Sequence, residues 1–210
     1  MFFSGLFLLF PEIDTQVTAL FYHNDFYLEH HPINEAIYTW APRVINFFVL
    51  ALLLGILYCQ IRKVDAIFTI KKMAMLYLFT AVLIGPGIFV NWVLKEFVDR
   101  PRPRDIVQFG GDKTFIPVLI VSDQCESNCS FVSGHAAGGF ALIALAFLFQ
   151  GRKRHLIFAA GVFFGATIGL VRIMQGGHFI SDVVFALLVT YLTSKIIYYL
   201  FFEWRKPTPN

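Results

Sequence analysis

The sequence predicts an all-α protein, a polytopic transmembrane helical bundle of about six spans with the first one shortened. Three observations predict it. Apolar residues fill 57% of the 210 positions and the mean hydropathy is +0.66, above the roughly one-half apolar content of soluble domains. These residues fall in runs long enough for a helix to cross a bilayer, where the backbone must satisfy its own hydrogen bonds. The runs lack the strict alternation of barrel strands, which points to an inner or plasma membrane rather than an outer one. Residues 1–210 read as a single membrane-embedded domain.

Residues 1–10 are apolar but only about half a span long. They lack a basic start and a small-residue cleavage site, so they read as the stub of a first helix, as a misassigned start would leave it, ended by Pro11. Residues 12–43 are polar and aromatic. Ile13, Val17, Leu20 and Phe21 recur at helical spacing, as do Ile33, Ile37 and Trp40 after Pro32. Two short helices lying in the interface, or a plain connecting loop, fit that pattern. His23, His30 and His31 have no partner set at ligand spacing and read as surface residues. Spans follow at 44–61 and 73–94, the second interrupted by Gly85-Pro86-Gly87, where a kink is expected. Residues 95–133 are the longest polar segment. Residues 135–150 are a short span. Residues 156–174 carry Gly161, Gly165 and Gly169 at intervals of four, a pattern of close helix packing. The last span is 179–202, with Tyr198, Tyr199 and Trp204 suited to an interfacial belt.

Charge sets the orientation. Arg62, Lys63, Lys71, Lys72, Arg152, Lys153, Arg154, Arg205 and Lys206 lie on one side, against only Asp65 and Glu203. The positive-inside bias makes that side cytoplasmic. The end of span 73–94, the start of 135–150, the end of 156–174 and the start of 179–202 then face outward, and every distinctive polar cluster falls there. These four helices form the expected catalytic core, with its site at the outward face.

Three patterns gather on that face: Lys95-x₆-Arg102-Pro103, then Ser130-Phe131-Val132-Ser133-Gly134-His135, then Arg172-x₅-His178-x₃-Asp182. The third combines a forked cation suited to phosphate with a His and an Asp four residues apart. On a helix begun near His178, the Asp182 carboxylate would accept a hydrogen bond from one ring nitrogen and leave the other as a nucleophile. A helix begun near Ser133 offers free amides and a positive dipole end to an anion. The bland alternative is a set of structural polar contacts at a helix junction. Ionisable groups at membrane depth favour a functional site. The set suits a tetrahedral dianion, and no metal-ligand spacing accompanies it. Arg100 and Arg104 read as headgroup contacts or ordinary surface charge. Cys59 reads as a buried small hydrophobe. Cys125 and Cys129 share a loop in a predicted oxidising compartment, so a disulfide is expected between them.

In this order the motifs K-x₆-R-P, S-G-H and R-x₅-H-x₃-D resemble the type-2 phosphatidic acid phosphatase superfamily of membrane lipid phosphatases. The resemblance runs from Lys95 to Asp182. Val132 stands where the family has proline and Val171 where it has serine; neither position need lend a side chain to the chemistry. Within the family, G-P-G-I-F-V-N-W-V-L-K, Q-F-G-G-D-K and S-D-Q-C-E-S-N-C-S-F are similar to the bacterial lipid A 4′-phosphatases, although His135 is more orthodox than that subfamily's looser second motif.

The resemblance implies that His178 attacks phosphorus and forms a phosphohistidine, that Asp182 orients it, and that His135 protonates the leaving oxygen and then activates water. It implies that Lys95, Arg102, Arg172, Ser133 and the Gly134 amide hold the phosphoryl oxygens, with no metal or other cofactor. The implied substrate is a phosphorylated lipid met within the bilayer, lipid A 4′-phosphate first. Undecaprenyl pyrophosphate, phosphatidylglycerol phosphate and lipid A 1-phosphate are the alternatives inside the class. Outside it stand a lipid-binding or transport protein using the same pocket, which an oriented nucleophile disfavours, and a vanadium haloperoxidase, which the spans disfavour. The expected place is a bacterial inner membrane, multi-pass, with the site on the periplasmic side. Neither nucleic acid nor an obligate protein partner is implied.

Overall fold

The computed structural model describes residues 2–61 and 66–204; the predicted basic residues Arg62, Lys63, Arg205 and Lys206, with Asp65, lie outside them. The described chain is a helical bundle. Helix α1 (Phe2–Leu9) and helix α2 (Glu12–Ala19) meet at Pro11, which cannot continue the first and caps the second. On α2, Ile13 and Val17 pack on the main core as their spacing predicts, while Asp14 and Thr18 are also buried.

Helix α3 (Pro32–Ile61) corrects the expectation of a separate second interfacial helix: one 30-residue helix runs through Pro42 into the span. At 1.5 Å per residue it is about 45 Å long, well over a hydrocarbon core of about 30 Å. Its first turns therefore reach past the apolar slab and carry Tyr38 and Trp40, with Arg43 5.0 Å over the Trp40 ring. Val44, Phe47, Leu50 and Leu54 are exposed on its outer face, where lipid would lie. Cys59, expected to be buried, is only half-buried because α3 sits at the edge of the bundle.

Helix α4 (Ala66–Val82) widens into a π-helical segment, Leu83–Leu94, at the predicted kink. Pro86 lacks an amide hydrogen, and Asn91 Nδ2 donates to its carbonyl at 2.8 Å. The short helix α5 (Lys95–Val98) follows and stops where Asp99 turns left-handed, φ 47°. Helices α6 (Gly134–Phe140) and α7 (Ile143–Ala146) form the short span. Helix α8 (Gly151–Met174) and helix α9 (Ile180–Phe202) complete the core. The small-residue stripe on α8 does what its spacing predicts: Gly161 packs on Ile143, Gly165 on Phe140 and Gly169 on Val183, each too close for a side chain. Among the described residues, four helices are long and apolar enough to cross a membrane, and the apolar 134–146 pair adds a shorter fifth segment. The ends of the π-helical segment and α8 meet the starts of α6 and α9 at one end of the bundle.

Candidate active site

Gly176 and Gly177 carry the chain from α8 to His178 and α9. Gly176 adopts φ 61°, and Gly177 lies against the Arg172 guanidinium with no room for a side chain. His178 is 1% exposed, and its Nδ1 lies 2.7 Å from the Ser130 carbonyl. A carbonyl only accepts, so Nδ1 carries the hydrogen and Nε2 keeps its lone pair. Burial pushes the His178 pKa down to about 4, against the pull of Asp182 and with a further push from Arg172 and Lys95.

The expected direct hydrogen bond from His178 to Asp182 is replaced by a looser contact. His178 precedes the first turn of α9, and its Nδ1 is 3.8 Å from Asp182 Oδ2. The Asp182 oxygens are taken instead by the Phe179 amide at 2.8 Å, Ser130 Oγ at 2.5 Å and Arg100 Nη1 at 2.6 Å. Asp182 thus caps α9 and fixes the same Ser130 whose carbonyl holds the imidazole.

Arg100 corrects the reading of it as a headgroup contact or surface charge. Its side chain is fully buried between Asp182 and Asp14, at 2.6 and 2.8 Å. It also donates to Ser181 Oγ and to the Ile116 carbonyl, and its guanidinium lies 4.3 Å over the Phe179 ring. Asp14 in turn accepts from the Ser181 amide at 2.9 Å and its hydroxyl at 2.6 Å. Arg104, read in the same way, pairs with Glu29 at 2.8 Å. Burial pushes the Asp14 carboxyl above its ordinary range, partly countered by Arg100.

Of the other predicted cations, Arg172 and Lys95 lie close enough to act electrostatically on the imidazole. Lys95 Nζ donates to Asn128 Oδ1 at 3.0 Å, and Arg102 donates to the Asn128 backbone carbonyl from Nε at 3.0 Å and Nη2 at 2.7 Å. Burial, then Arg102 and Arg172, push the Lys95 pKa down to about 8, and burial followed by Arg104 lowers that of Arg102. Arg172 donates to Gln175 Oε1 at 2.6 Å, while its buried Nε has no acceptor among the described residues. Tyr38 lies between two predicted site residues: its ring stacks on His135 with centroids 4.9 Å apart, and Arg172 sits 4.6 Å over it. Ser133 caps α6, its hydroxyl accepting from the Ala136 amide at 3.4 Å, and its own amide donates to the Asp182 carbonyl. Gly134 lies against Asn91, again with no space for a side chain. Cys125 and Cys129 are joined in a disulfide. His23, His30 and His31 are exposed, and among the described residues no three His, Cys, Asp or Glu side chains gather as a metal set.

Two cavities flank this cluster. One of about 360 Å³ is largely apolar, lined by Pro42, Ile45, Val82 and Pro86, and ends at Asn91 and His135. The other, about 660 Å³, is polar and is lined by Arg102, Arg104, Lys113, Asp123, Gln124 and Asn128.

This arrangement accompanies a sequence match to the PAP2 superfamily over residues 73–206. The chain belongs to the PAP2 superfamily. All three motifs of its candidate site fall inside the matched stretch. The chain is also 37% identical to a lipid A 4′-phosphatase of Francisella tularensis subsp. novicida (strain U112), over 98% of its own length and 94% of that protein. It is 36% identical to the lipid A 4′-phosphatase of Rhizobium leguminosarum and 37% identical to that of Rhizobium etli. Those two matches cover 56% and 49% of this chain, and 48% and 40% of the respective relatives. No solved structure matches the chain. Within the PAP2 frame, Asp14, Arg100, Asn128, Ser130 and Tyr38 carry geometry that sequence reading missed. Arg100 stood in view within R-P-R-P, but nothing in the sequence pairs it with Asp14, 86 positions earlier.

Proposed function

We propose that this PAP2 protein is one membrane-embedded domain that hydrolyses a lipid phosphomonoester, the 4′-phosphate of lipid A, through a phosphohistidine. The observation that carries the reading is the His178 Nδ1 hydrogen bond to the Ser130 carbonyl, which leaves Nε2 as a neutral nucleophile under the influence of Arg172 and Lys95. His178 Nε2 attacks phosphorus in line. The ring gains positive charge as the N–P bond forms, and Asp182, 3.8 Å from Nδ1, stabilises it. Lys95, Arg102, Arg172, Ser133 and the Gly134 amide hold the phosphoryl oxygens. His135 gives its proton to the departing sugar oxygen, then removes one from the water that cleaves the N–P bond.

The flanking cavities support an amphipathic substrate: an acyl chain suits the apolar one and a sugar headgroup the polar one. The relatives' activity supports the regiochemistry. The charge bias of the basic turns supports a site on the periplasmic face of a bacterial inner membrane, where the enzyme would meet its lipid after flipping.

Phosphate release from a panel of purified lipids in detergent tests the activity. Deleting the gene should add a phosphate to lipid A and sensitise cells to cationic peptides, since each basic residue gains about 1 kcal/mol at an anionic surface. Unchanged lipid A spectra with a build-up of undecaprenyl pyrophosphate or phosphatidylglycerol phosphate would move the assignment to those substrates.

A further inference from the structure

The loop before α6 is stitched to the end of the first motif. The Ser122 amide donates to the Val98 carbonyl at 3.1 Å, Ser122 Oγ to the Asp99 carbonyl at 2.5 Å, and the Ser130 amide to the Arg100 carbonyl at 2.8 Å. Inside this loop the Cys125–Cys129 bond closes a small ring. Asn128 lies in that ring at φ 51°, a left-handed conformation that asparagine tolerates better than most residues. Both of its oxygens then meet the two cations of K-x₆-R-P: Oδ1 takes Lys95, and the backbone carbonyl takes two nitrogens of Arg102.

We propose that Asn128 is a positioning residue that presets Lys95 and Arg102 for the substrate's phosphoryl group, and that the Cys125–Cys129 ring holds it in place. The proposal rests on the phosphatase reading above. The donor count permits it. An ammonium has three N–H groups and gives one to Asn128; a guanidinium has five and gives two. Each cation keeps donors for phosphate oxygens. The acceptor is neutral, so it orients two mutually repelling cations without cancelling the charge that draws a dianion. A carboxylate in its place would compete with the phosphate. Two residues on, the Ser130 carbonyl holds His178, so one braced segment sets the spacing between the phosphate-holding cations and the nucleophile.

Asn128→Gly keeps the left-handed backbone and its carbonyl and removes only the Lys95 acceptor. It should raise both the KM for a short-chain phosphomonoester lipid and the inhibition constant of orthophosphate by about tenfold, the size of one hydrogen bond to a charged group. Asn128→Asp should keep the geometry, weaken orthophosphate inhibition and move the alkaline limb of the rate profile upward, because a carboxylate beside Lys95 retains its proton. A merely structural role would disturb kcat and the unfolding temperature rather than KM and the orthophosphate inhibition constant. The Cys125→Ser, Cys129→Ser double variant should reproduce the glycine variant. Orthophosphate binding to the full-length protein, followed by calorimetry, extends the comparison to protein that does not turn over. Wild-type protein that neither hydrolyses the lipid nor binds orthophosphate would sink the phosphatase reading and this proposal with it. An active wild type, with both Asn128 variants matching it in KM, inhibition and pH limb, would overturn the positioning role alone.

Discussion

Arg100 Nη1 lies 2.6 Å from Asp182 Oδ1, and both side chains are fully buried. Through this pair helix α2 reaches His178: Asp14 holds Arg100, Arg100 holds Asp182, and Asp182 holds the Ser130 that orients His178. Removing one partner of such a network strands the others as uncompensated charge, a cost of about 3–5 kcal/mol. Arg100→Met should therefore lower the unfolding temperature in detergent and remove activity. Arg100→Lys should not rescue it, because one ammonium cannot span two carboxylates, Ser181 Oγ and the Ile116 carbonyl. Wild-type stability in Arg100→Met would refute the network's role.

Besides the proton that His135 must carry as acid, two groups outside the spans shape the pH profile. In the proposed mechanism His178 attacks only when neutral, and burial holds its pKa near 4. Lys95 would hold a dianion there only when protonated, and burial with its cationic neighbours brings its pKa near 8. For the free enzyme, kcat/KM should fall below about pH 4 and above about pH 8. A bound phosphate raises the Lys95 pKa, so the alkaline limb of kcat should lie higher. Initial rates across pH at saturating and limiting substrate check both limbs, and a kcat/KM that stays flat through the alkaline range would remove Lys95 from phosphate binding.

His178→Ala should abolish turnover and the acid-labile phosphoprotein trapped by rapid quench with radiolabelled substrate. His135→Ala should be severe with a lipid substrate and milder with p-nitrophenyl phosphate, whose leaving group needs no proton. Loss of the Arg172 side chain should slow the reaction on the order of 10²–10³-fold, if it acts as a donor to the developing charge. Label retained in His178→Ala would place the covalent bond elsewhere.

Exhaustive chelation should leave activity intact, because the phosphoryl charge is met by side-chain cations. Activity lost to chelator and restored only by a divalent ion would overturn the mechanism.

A reporter inserted after Arg152 should behave as cytoplasmic, and one within residues 110–112 as periplasmic. The opposite pattern would invert the assigned orientation.

Local pattern carried a large share of this protein. Helix runs, the interruption at Gly85-Pro86-Gly87 and the glycine stripe of α8 depend on neighbours within a few turns, and each appears where the spacing put it. The boundary between residues 32–43 and the following span did not, because an amphipathic segment leading into an apolar one reads as two helices when nothing says that the backbone continues through Pro42. The exposed face of α3 likewise left Cys59 half-buried, although its surroundings in sequence are as apolar as those of a core residue.

By itself the sequence determined which residues are candidates for the site and the end of the bundle where they gather, because motif spacing is a one-dimensional property. Tertiary structure decided what each group is bonded to. It gave His178 the Ser130 carbonyl as its main partner, turned Arg100 from an expected surface charge into a buried link, and set Asn128 across Lys95 and Arg102. Those partners lie between 26 and 86 positions apart. Burial makes such contacts obligatory, since a charge or donor removed from water must find a partner, but which partner it finds is fixed only when the helices pack.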